Sequence, residues 1–276
     1  MERAFREAAL LIRDADGILI AAGAGMGVDS GLPDFRGKNG FWREYPVLAS
    51  RGLRFGEVAN AKFFRREPYL GWGFYGHRLN LYRSTTPHAG FQLLLQWIST
   101  KPLGGFVFTS NADGQFQKAG FDDKIVLECH GSIHQLQCLA PCGLTIWPVP
   151  AALPITVDHA SLRWRGPLPE CINCSGTARP NLLMAGGDWG WLSSRRAMRE
   201  AAFTKWIGNA TGHTWVILEI GAGTVARTVR DETERLSRIH GVTLIRINPA
   251  ISALPERSLT VPFGALGALQ SIATYL

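Results

Sequence analysis

Residues 17–27 read Gly-Ile-Leu-Ile-Ala-Ala-Gly-Ala-Gly-Met-Gly, a short apolar segment that leads directly into alternating glycines. Such a run of small and aliphatic residues predicts a strand that is buried on both faces. Strands of this kind occur in parallel sheets whose two faces are covered by helices. Similar apolar segments follow at residues 106–108, 125–129, 215–220 and 242–247. Helical patterns separate them, among them one at residues 111–118, and a further strand is expected near residues 182–184. The sequence therefore predicts an α/β fold built on a parallel sheet.

The composition indicates a folded chain without a membrane span. Of its 276 residues, 46% are hydrophobic and 18% are charged, which is ample apolar material for a packed core. The chain contains no run of 18 apolar residues, and residues 1–7 are charged and amphipathic, unlike a leader peptide. We therefore expect a cytoplasmic protein with no membrane partner.

The charge of the chain favours acidic partners. The formal net charge is +7, from 29 basic and 22 acidic residues, and a phosphorylated cofactor would suit such a surface. The arginines are scattered along the chain, whereas nucleic-acid recognition usually needs one continuous basic stripe. Ordinary solvated faces are therefore favoured over a nucleic-acid site, and the oligomeric state stays open.

The cysteines fall into two close pairs. Cys138 and Cys142 form one pair, Cys171 and Cys174 form the other, and Cys129 stands apart. Two such pairs in a cytoplasmic chain predict one structural zinc ion held by four thiolates. Four thiolates leave no open coordination position, so this zinc would not catalyse. Disulfides, or thiols buried as small apolar groups, are the alternatives.

The cysteine pairs also indicate how the chain is divided. They lie in residues 134–178, which interrupt the strand–helix pattern and form the predicted zinc-binding module. Residues 1–133 and 179–276 would form a Rossmann-like domain. Within it, residues 40–80 are rich in aromatic residues, arginine and glycine, and we expect an insertion of short helices and loops there.

Four loops should meet at one edge of the predicted sheet. Ligands of parallel α/β sheets bind outside the carboxyl ends of the strands. The loops that fall there span residues 23–36, 109–113, 130–132 and 221–224, and Asn248 ends the last core strand. Glycines in the first loop would let backbone amides approach a pyrophosphate. Together these loops predict a nucleotide site.

Neither glycine-rich loop indicates a hydride-transferring dehydrogenase. The first has Val28 where the G-x-G-x-x-G motif needs its third glycine. Residues 221–226 fit the variant G-x-G-x-x-A, but Asn248 stands where such an enzyme carries an acidic residue for the adenosine ribose. Simple turn glycines remain an alternative interpretation of that second loop.

More distinctive is Ser30-Gly31-Leu32-Pro33-Asp34-Phe35-Arg36-Gly37, which together with Gly23-Ala24-Gly25 resembles the signature of the sirtuins, NAD-dependent protein deacylases. Residues 109–120, with Thr-Ser-Asn-Ala-Asp-Gly and a final Ala-Gly, are similar to the second motif of that family. Glu128-Cys129-His130-Gly131-Ser132 is similar to the segment that carries its catalytic histidine. The cysteine pairs and Arg179-Pro180 follow in the family's order, so the resemblance covers nearly the whole chain.

This resemblance implies an NAD-binding domain and an enzyme that consumes NAD as a co-substrate. NAD would be cleaved to nicotinamide, and the acyl group of an acylated protein lysine would pass to ADP-ribose. The implied catalytic residues are His130 as general base, with Asn111 and Asp113 at the nicotinamide and its ribose. An imidazole with an ordinary pKa near 6.5 suits that role. The implied cofactor-binding residues are Gly23, Ala24, Gly25, Asp34, Phe35, Arg36, Ser110, Asn111, Asp113, Gly221, Ala222 and Asn248.

The sequence departs from the family pattern in three loops. Ser110 replaces a glutamine, residues 221–223 read Gly-Ala-Gly for Gly-Thr-Ser, and residues 185–188 read Ala-Gly-Gly-Asp where the family has Phe-Gly-Glu. The aromatic group beside the acyl-lysine is therefore missing or supplied by Trp189 or Trp191, unless these two only pack. Alternative functions on the same fold are protein ADP-ribosyl transfer, NAD hydrolysis and a non-catalytic sensor of NAD or ADP-ribose.

Overall fold

A computed structural model of the chain describes residues 1–33, 38–250 and 255–276, and of residues 38 and 39 the backbone alone. The strands are β1 (Gly17–Ala22), β2 (Gly105–Thr109), β3 (Val126–Glu128), β4 (Gly131–Cys138), β5 (Ile146–Pro148), β6 (Val157–Asp158), β7 (Arg163–Trp164), β8 (Ala178–Leu182), β9 (Trp215–Ile220), β10 (Thr243–Ile247) and β11 (Ser258–Val261).

Most of the helices lie between β1 and β2, and the others precede, separate or follow strands of the central sheet. They are α1 (Glu2–Asp14), α2 (Lys38–Glu44), α3 (Pro46–Ser50), α4 (Phe55–Val58), α5 (Ala61–Arg66), α6 (Pro68–Ser84), α7 (Ala89–Ser99), α8 (Gln115–Lys118), α9 (Ser194–Ala210), α10 (Thr228–His240) and α11 (Ala265–Ala273). None of the helices in the described residues is long and apolar enough to cross a membrane.

The central sheet confirms the predicted parallel α/β fold. Six strands lie in the order β11-β10-β9-β1-β2-β3, and each neighbouring pair is parallel. Along the chain this is the doubly wound order 3-2-1-4-5-6, in which the winding reverses between β1 and β9. The crevice outside the carboxyl ends of these two strands is where such a sheet binds its ligands.

The strand β1 is buried on both faces, as its sequence predicts. All six of its residues are buried. Ile18 and Ile20 pack into a core with α1, α7 and α11, whereas Leu19 and Ala21 pack into another with α9 and α10. Helices therefore cover both faces of the sheet.

A third apolar core joins the helical segment to the cysteine-containing segment. The antiparallel sheet β5-β4-β8 packs against α2 to α6, with Trp72 in the centre. The Trp72 indole donates a hydrogen bond of 2.8 Å to the carbonyl oxygen of Ala178. A Cβ atom on Gly73 would lie 1.9 Å from the carbonyl oxygen of Leu162, so only glycine allows this close packing. The predicted boundaries at residues 133/134 and 178/179 stay a prediction.

Two elements differ from the sequence-based expectation. A helix is predicted from residue 111 to 118, but α8 begins only at Gln115 because Gly114 is left-handed, with φ of 70°, and ends the preceding loop. The strand predicted near residues 182–184 is β8, Ala178–Leu182. The apolar run therefore continues past the end of β8 into the loop that follows.

Candidate functional site

The two glycine-rich loops lie against each other at the crevice between β1 and β9. The amide of Gly25 donates to the carbonyl oxygen of Gly221 at 3.0 Å, and the amide of Gly23 donates to that of Ile220 at 2.9 Å. A Cβ atom on Gly25 would lie 2.7 Å from Cα of Gly221. These glycines are therefore required for backbone-to-backbone contact between the loops, a reason that the sequence alone did not provide.

A cavity of about 700 Å³ opens beside this crevice. Polar loops from three separate segments of the chain line one side of it. Of the predicted site residues, the structure brings the following to the cavity wall: Ala24, Ser110, Asn111, Asp113 and His130. These residues are far apart in the sequence, and the parallel sheet brings them together because all follow carboxyl ends of neighbouring strands.

The Asn111 side chain connects the loop after β2 to the first glycine loop. Its amide group donates to the carbonyl oxygen of Gly23 at 2.9 Å. Its backbone amide donates to the hydroxyl of Thr109 at 3.0 Å. Because both groups are occupied, the side chain is held at one position on the cavity wall before any ligand arrives.

The Asp113 carboxylate lies where burial raises its pKa above the usual range. Its Oδ1 atom accepts a hydrogen bond of 2.9 Å from the amide of Gln115, which caps α8. The carbonyl oxygen of Asp113 lies 2.9 Å from Nε2 of His134, on β4, which can donate to it. Loop and strand thus hold both the side chain and the backbone of this residue, and the contact with His134 is one that sequence reasoning missed.

The imidazole of His130 lies at the cavity wall, just after β3. Its Nε2 atom is 3.4 Å from the hydroxyl of Thr228 at the start of α10. Its carbonyl oxygen accepts a hydrogen bond of 2.9 Å from Leu183, in the loop after β8. His130 therefore links the end of β3 to the loop after β8, which also lines the cavity.

A buried carboxylate behind His130 was also missed. Glu128 is 2% exposed, and its Oε2 atom accepts a hydrogen bond of 2.9 Å from Arg195. Burial raises the pKa of Glu128 to about 7, against the opposing effect of Arg195, and nearby Asp113 raises it further. A charged residue in the apolar run 125–129 was the available signal, because charged side chains are rarely fully buried without a function or a partner.

Another wall of the cavity comes from the helical segment and is mostly aromatic. It includes Phe41, Trp42, Phe55, Tyr75 and Tyr82. Among them lies Arg78, whose Nη2 atom donates to the Tyr82 hydroxyl at 2.6 Å. One side of the cavity is therefore largely apolar, with a cation set among its aromatic rings.

Neither of the two candidate tryptophans lines this cavity among the described residues. Trp189 is 98% exposed, and Trp191 stacks under Arg196 at 5.8 Å. The loop that carries them is held by a buried ion pair, in which Asp188 accepts hydrogen bonds of 2.7 and 3.0 Å from Arg179. Aromatic groups at the cavity come from the helical segment instead.

The predicted cofactor-binding residues Gly221, Ala222 and Asn248, which the family resemblance assigns to the adenosine end of NAD, also lie together. The amide of Gly221 donates to the carbonyl oxygen of Ile247 at 3.0 Å. The side chain of Asn248 donates to the carbonyl oxygen of Ala222 at 2.9 Å. Asp34, Phe35 and Arg36 lie outside the described residues. The functional roles assigned to all these residues stay predictions.

The predicted zinc-binding cluster is confirmed as a set of neighbouring ligands. The sulfur atoms of Cys138, Cys142, Cys171 and Cys174 all lie within 4.8 Å of one another. The Cys138–Cys174 and Cys142–Cys171 sulfur distances are 3.8 and 3.5 Å, far too long for disulfide bonds. Four thiolates at about 2.3 Å from a tetrahedral zinc ion would be about 3.8 Å apart, so the cluster fits this metal. Cys129 is buried elsewhere.

Comparison with known sequences agrees with this geometry. A profile of the Sir2 family matches residues 23–206. The NAD-dependent protein deacylase of Aquifex aeolicus is 30% identical over 169 residues, which are 61% of each chain. The NAD-dependent protein deacetylase of Halalkalibacterium halodurans is 35% identical over 177 residues, 63% of each chain. Such alignments span about three fifths of the relatives' length.

Comparison with solved structures extends over nearly the whole chain. A Sir2 homologue in complex with NAD has a TM-score of 0.71 at 20% identity, covering 98% of this chain and 93% of that one. Sir2Tm bound to a propionylated peptide has a TM-score of 0.69 at 20% identity, covering 97% and 96%. At this identity the likeness concerns the fold.

Proposed function

Because the chain belongs to the Sir2 family, we propose that it is an NAD-dependent protein deacylase that acts on acylated lysine side chains. The acyl group would pass to ADP-ribose, with nicotinamide as the other product. One observation carries this proposal. Asn111, Asp113 and His130 lie on the wall of a single cavity at the crevice where a doubly wound sheet binds nucleotides.

The chain's own groups suit the steps that this activity requires. Asn111 is held by Gly23 and presents an amide to a carboxamide or ribose oxygen. His130 carries the imidazole that can remove a proton from a ribose hydroxyl near neutral pH. The carboxylate of Asp113 can stabilise positive charge that develops on a ribose ring. The aromatic wall opposite would bury the acyl chain away from water.

A second candidate keeps the cleavage of NAD but changes the acceptor. The observation that favours it is the loop after β8, which lines the cavity with Leu183, Met184 and Ala185 and with no aromatic side chain. Transfer of ADP-ribose to a protein, or hydrolysis of NAD, would need no acyl-lysine channel. A pure sensor of NAD or ADP-ribose is disfavoured, because binding alone needs no general base.

The four-thiolate cluster supports a cytoplasmic location. Thiolates can hold zinc only while they are reduced, and cytosolic conditions keep cysteines in that state. We accordingly propose the cytoplasm and an acylated protein as partner.

The test measures nicotinamide release from NAD with and without acyl-lysine peptides. The panel includes neutral and carboxylate-bearing acyl groups, because Arg78 places a cation at the cavity wall. We expect release that depends on one class of peptide. His130→Ala should lower the rate by about 100-fold or more. His213→Ala is the matched control, since His213 is half exposed beside Asp16, and it should leave the rate unchanged.

The outcomes separate the candidates. Release without any peptide, followed by modified protein, would support ADP-ribosyl transfer. Release without peptide or modified protein would support hydrolysis. Binding of NAD with no release under any condition would overturn the enzymatic proposal for these substrates.

A further inference from the structure

The carbonyl oxygen of Ala222 receives more hydrogen bonds than a backbone oxygen ordinarily does. Arg230, on α10, donates to it from Nε at 3.1 Å and from Nη2 at 2.9 Å. The side chain of Asn248 donates to the same atom at 2.9 Å. A carbonyl oxygen has two lone pairs, and three donor atoms here share them. The oxygen of Ala222 is therefore held toward Arg230 and Asn248.

Arg230 is 2% exposed, and it lies in a network of charges beneath this loop. The neighbouring Arg246 pairs with Glu219 and Glu234, the latter at 2.8 Å. Those carboxylates already accept hydrogen bonds from Arg246, and the guanidinium of Arg230 donates to the Ala222 carbonyl oxygen. A buried cation thus donates two of its hydrogen bonds to a single backbone oxygen.

The orientation of that carbonyl determines where the next amide points. In a trans peptide, the carbonyl oxygen and the following N–H lie on opposite sides of the C–N bond. With the oxygen of Ala222 directed inward, the N–H of Gly223 is directed away from Arg230. Ala222 is 1% exposed, whereas Gly223 is partly exposed. Within the described part of the chain, the Gly223 amide makes no hydrogen bond.

The first three residues of this loop offer a ligand backbone groups only, and the exposed hydroxyl of Thr224 follows them. Residues 221–223 read Gly-Ala-Gly, so no hydroxyl or charged side chain arises there. Gly221 touches Gly25 across the crevice, and Val225 and Ala226 line the cavity a few residues further along. A ligand that reaches residues 221–223 would therefore meet backbone groups rather than a polar side chain.

We propose that Arg230 is a positioning residue for the nucleotide: with Asn248 it holds the Ala222 carbonyl inward, so that the Gly223 N–H donates to a ribose or phosphate oxygen of the adenosine half. This inference rests on the proposed function, because it takes NAD or its product ADP-ribose as the ligand. It assigns no part of the reaction itself to Arg230.

The test uses ADP-ribose as the probe and calorimetry of the full chain. Arg230→Met removes the donors and should weaken ADP-ribose binding about tenfold or more, the size expected for a misplaced hydrogen bond to a charged ligand. Arg230→Lys keeps one donor and should restore part of that loss. In turnover, KM for NAD should rise with little change in kcat, whereas a general loss of structure would lower both binding and kcat.

A second measurement observes the wild-type protein and does not depend on the folding of an Arg230 variant. The ¹⁵N-labelled Gly223 amide, assigned by comparison with Gly223→Ala, should shift when ADP-ribose binds to the wild-type protein. If the wild type binds but this amide does not shift and Arg230→Met binds equally well, the inference is overturned while the proposed function stands. Absence of any ADP-ribose binding by the wild type would overturn the cofactor assignment and this inference together.

Discussion

Glu128 and Asp113 show how burial and charge act on single residues at this site. Both carboxyl groups have raised pKa values, and the first cause in each case is burial. Arg195 opposes the effect at Glu128 by donating a hydrogen bond to it. A sequence motif can indicate that Asp113 belongs to a functional site. The pKa of its carboxyl group, however, depends on burial by residues far away in the sequence, which no local pattern contains.

Glu128→Gln tests this electrostatic account. The folded-state pKa of about 7 lies above the unfolded value of 4.5, so between these pH values the folded chain keeps a proton that the unfolded chain releases. Rising pH therefore removes stability, by about 3 kcal/mol in total from this group. In the wild type we expect the free energy of unfolding to fall as the pH rises from about 5 to about 8, and Glu128→Gln should lessen that fall.

The control for that comparison is Glu200→Gln, since Glu200 is partly exposed beside Arg196. Its pH profile should match the wild type. Denaturant unfolding near pH 5 and near pH 8 measures the free energy of unfolding of the wild type and both variants. If the free energy of unfolding depended equally on pH in the wild type and in Glu128→Gln, the prediction that folding raises the pKa of Glu128 would be contradicted.

Among the elements, the strands of the central sheet were the most predictable. The apolar run at 17–22 becomes β1 with the same bounds, because a strand buried on both faces needs continuous small apolar residues. The start of α8 was not predictable, since it depends on the left-handed Gly114 packed against His134. The aromatic helices of residues 40–80 show no clear periodicity, so their contribution to the cavity appears only in the tertiary structure.

Gly25→Ala tests the contact between the two glycine loops. The new Cβ atom would lie 2.7 Å from Cα of Gly221, so the loops must move apart. We expect a loss of about 1–3 kcal/mol in the free energy of unfolding, together with weaker ADP-ribose binding. The matched control is Gly208→Ala in α9, where a Cβ meets nothing within 4 Å.

Alanine at position 208 should instead raise helix stability by about 0.5–1 kcal/mol. Thermal unfolding and calorimetric titration measure both variants. If Gly25→Ala were as stable as the wild type and bound ADP-ribose equally well, the close approach of these loops would not be what requires glycine.

At the scale of the whole molecule, two packed regions meet at one cavity. The sheet with its helices supplies Asn111, Asp113 and His130, and the third core supplies the aromatic wall with Arg78. The four cysteines stabilise the second region, because their cluster brings the end of β4 next to the segment before β8. The sequence predicted the cysteine ligands but not that the helical segment would share a core with them.

Removing one zinc ligand tests the structural role of the cysteine cluster. We expect one zinc ion per chain by atomic absorption, from a four-thiolate site that takes a single metal. Cys142→Ser should lower both the bound zinc and the Tm, the latter by about 5 °C or more. Cys129→Ser is the control, since Cys129 lies outside the cluster, and it should keep its zinc. Full zinc binding by Cys142→Ser would contradict the assigned ligands.

The most direct test of the central claim is the product balance of the wild-type protein with NAD and an acyl-lysine peptide that supports turnover. Mass spectrometry and chromatography would quantify nicotinamide, deacylated peptide and acyl-ADP-ribose in the same reaction. The account predicts that the three appear in equal amounts. Nicotinamide and ADP-ribose formed in excess while the peptide stays acylated would contradict it.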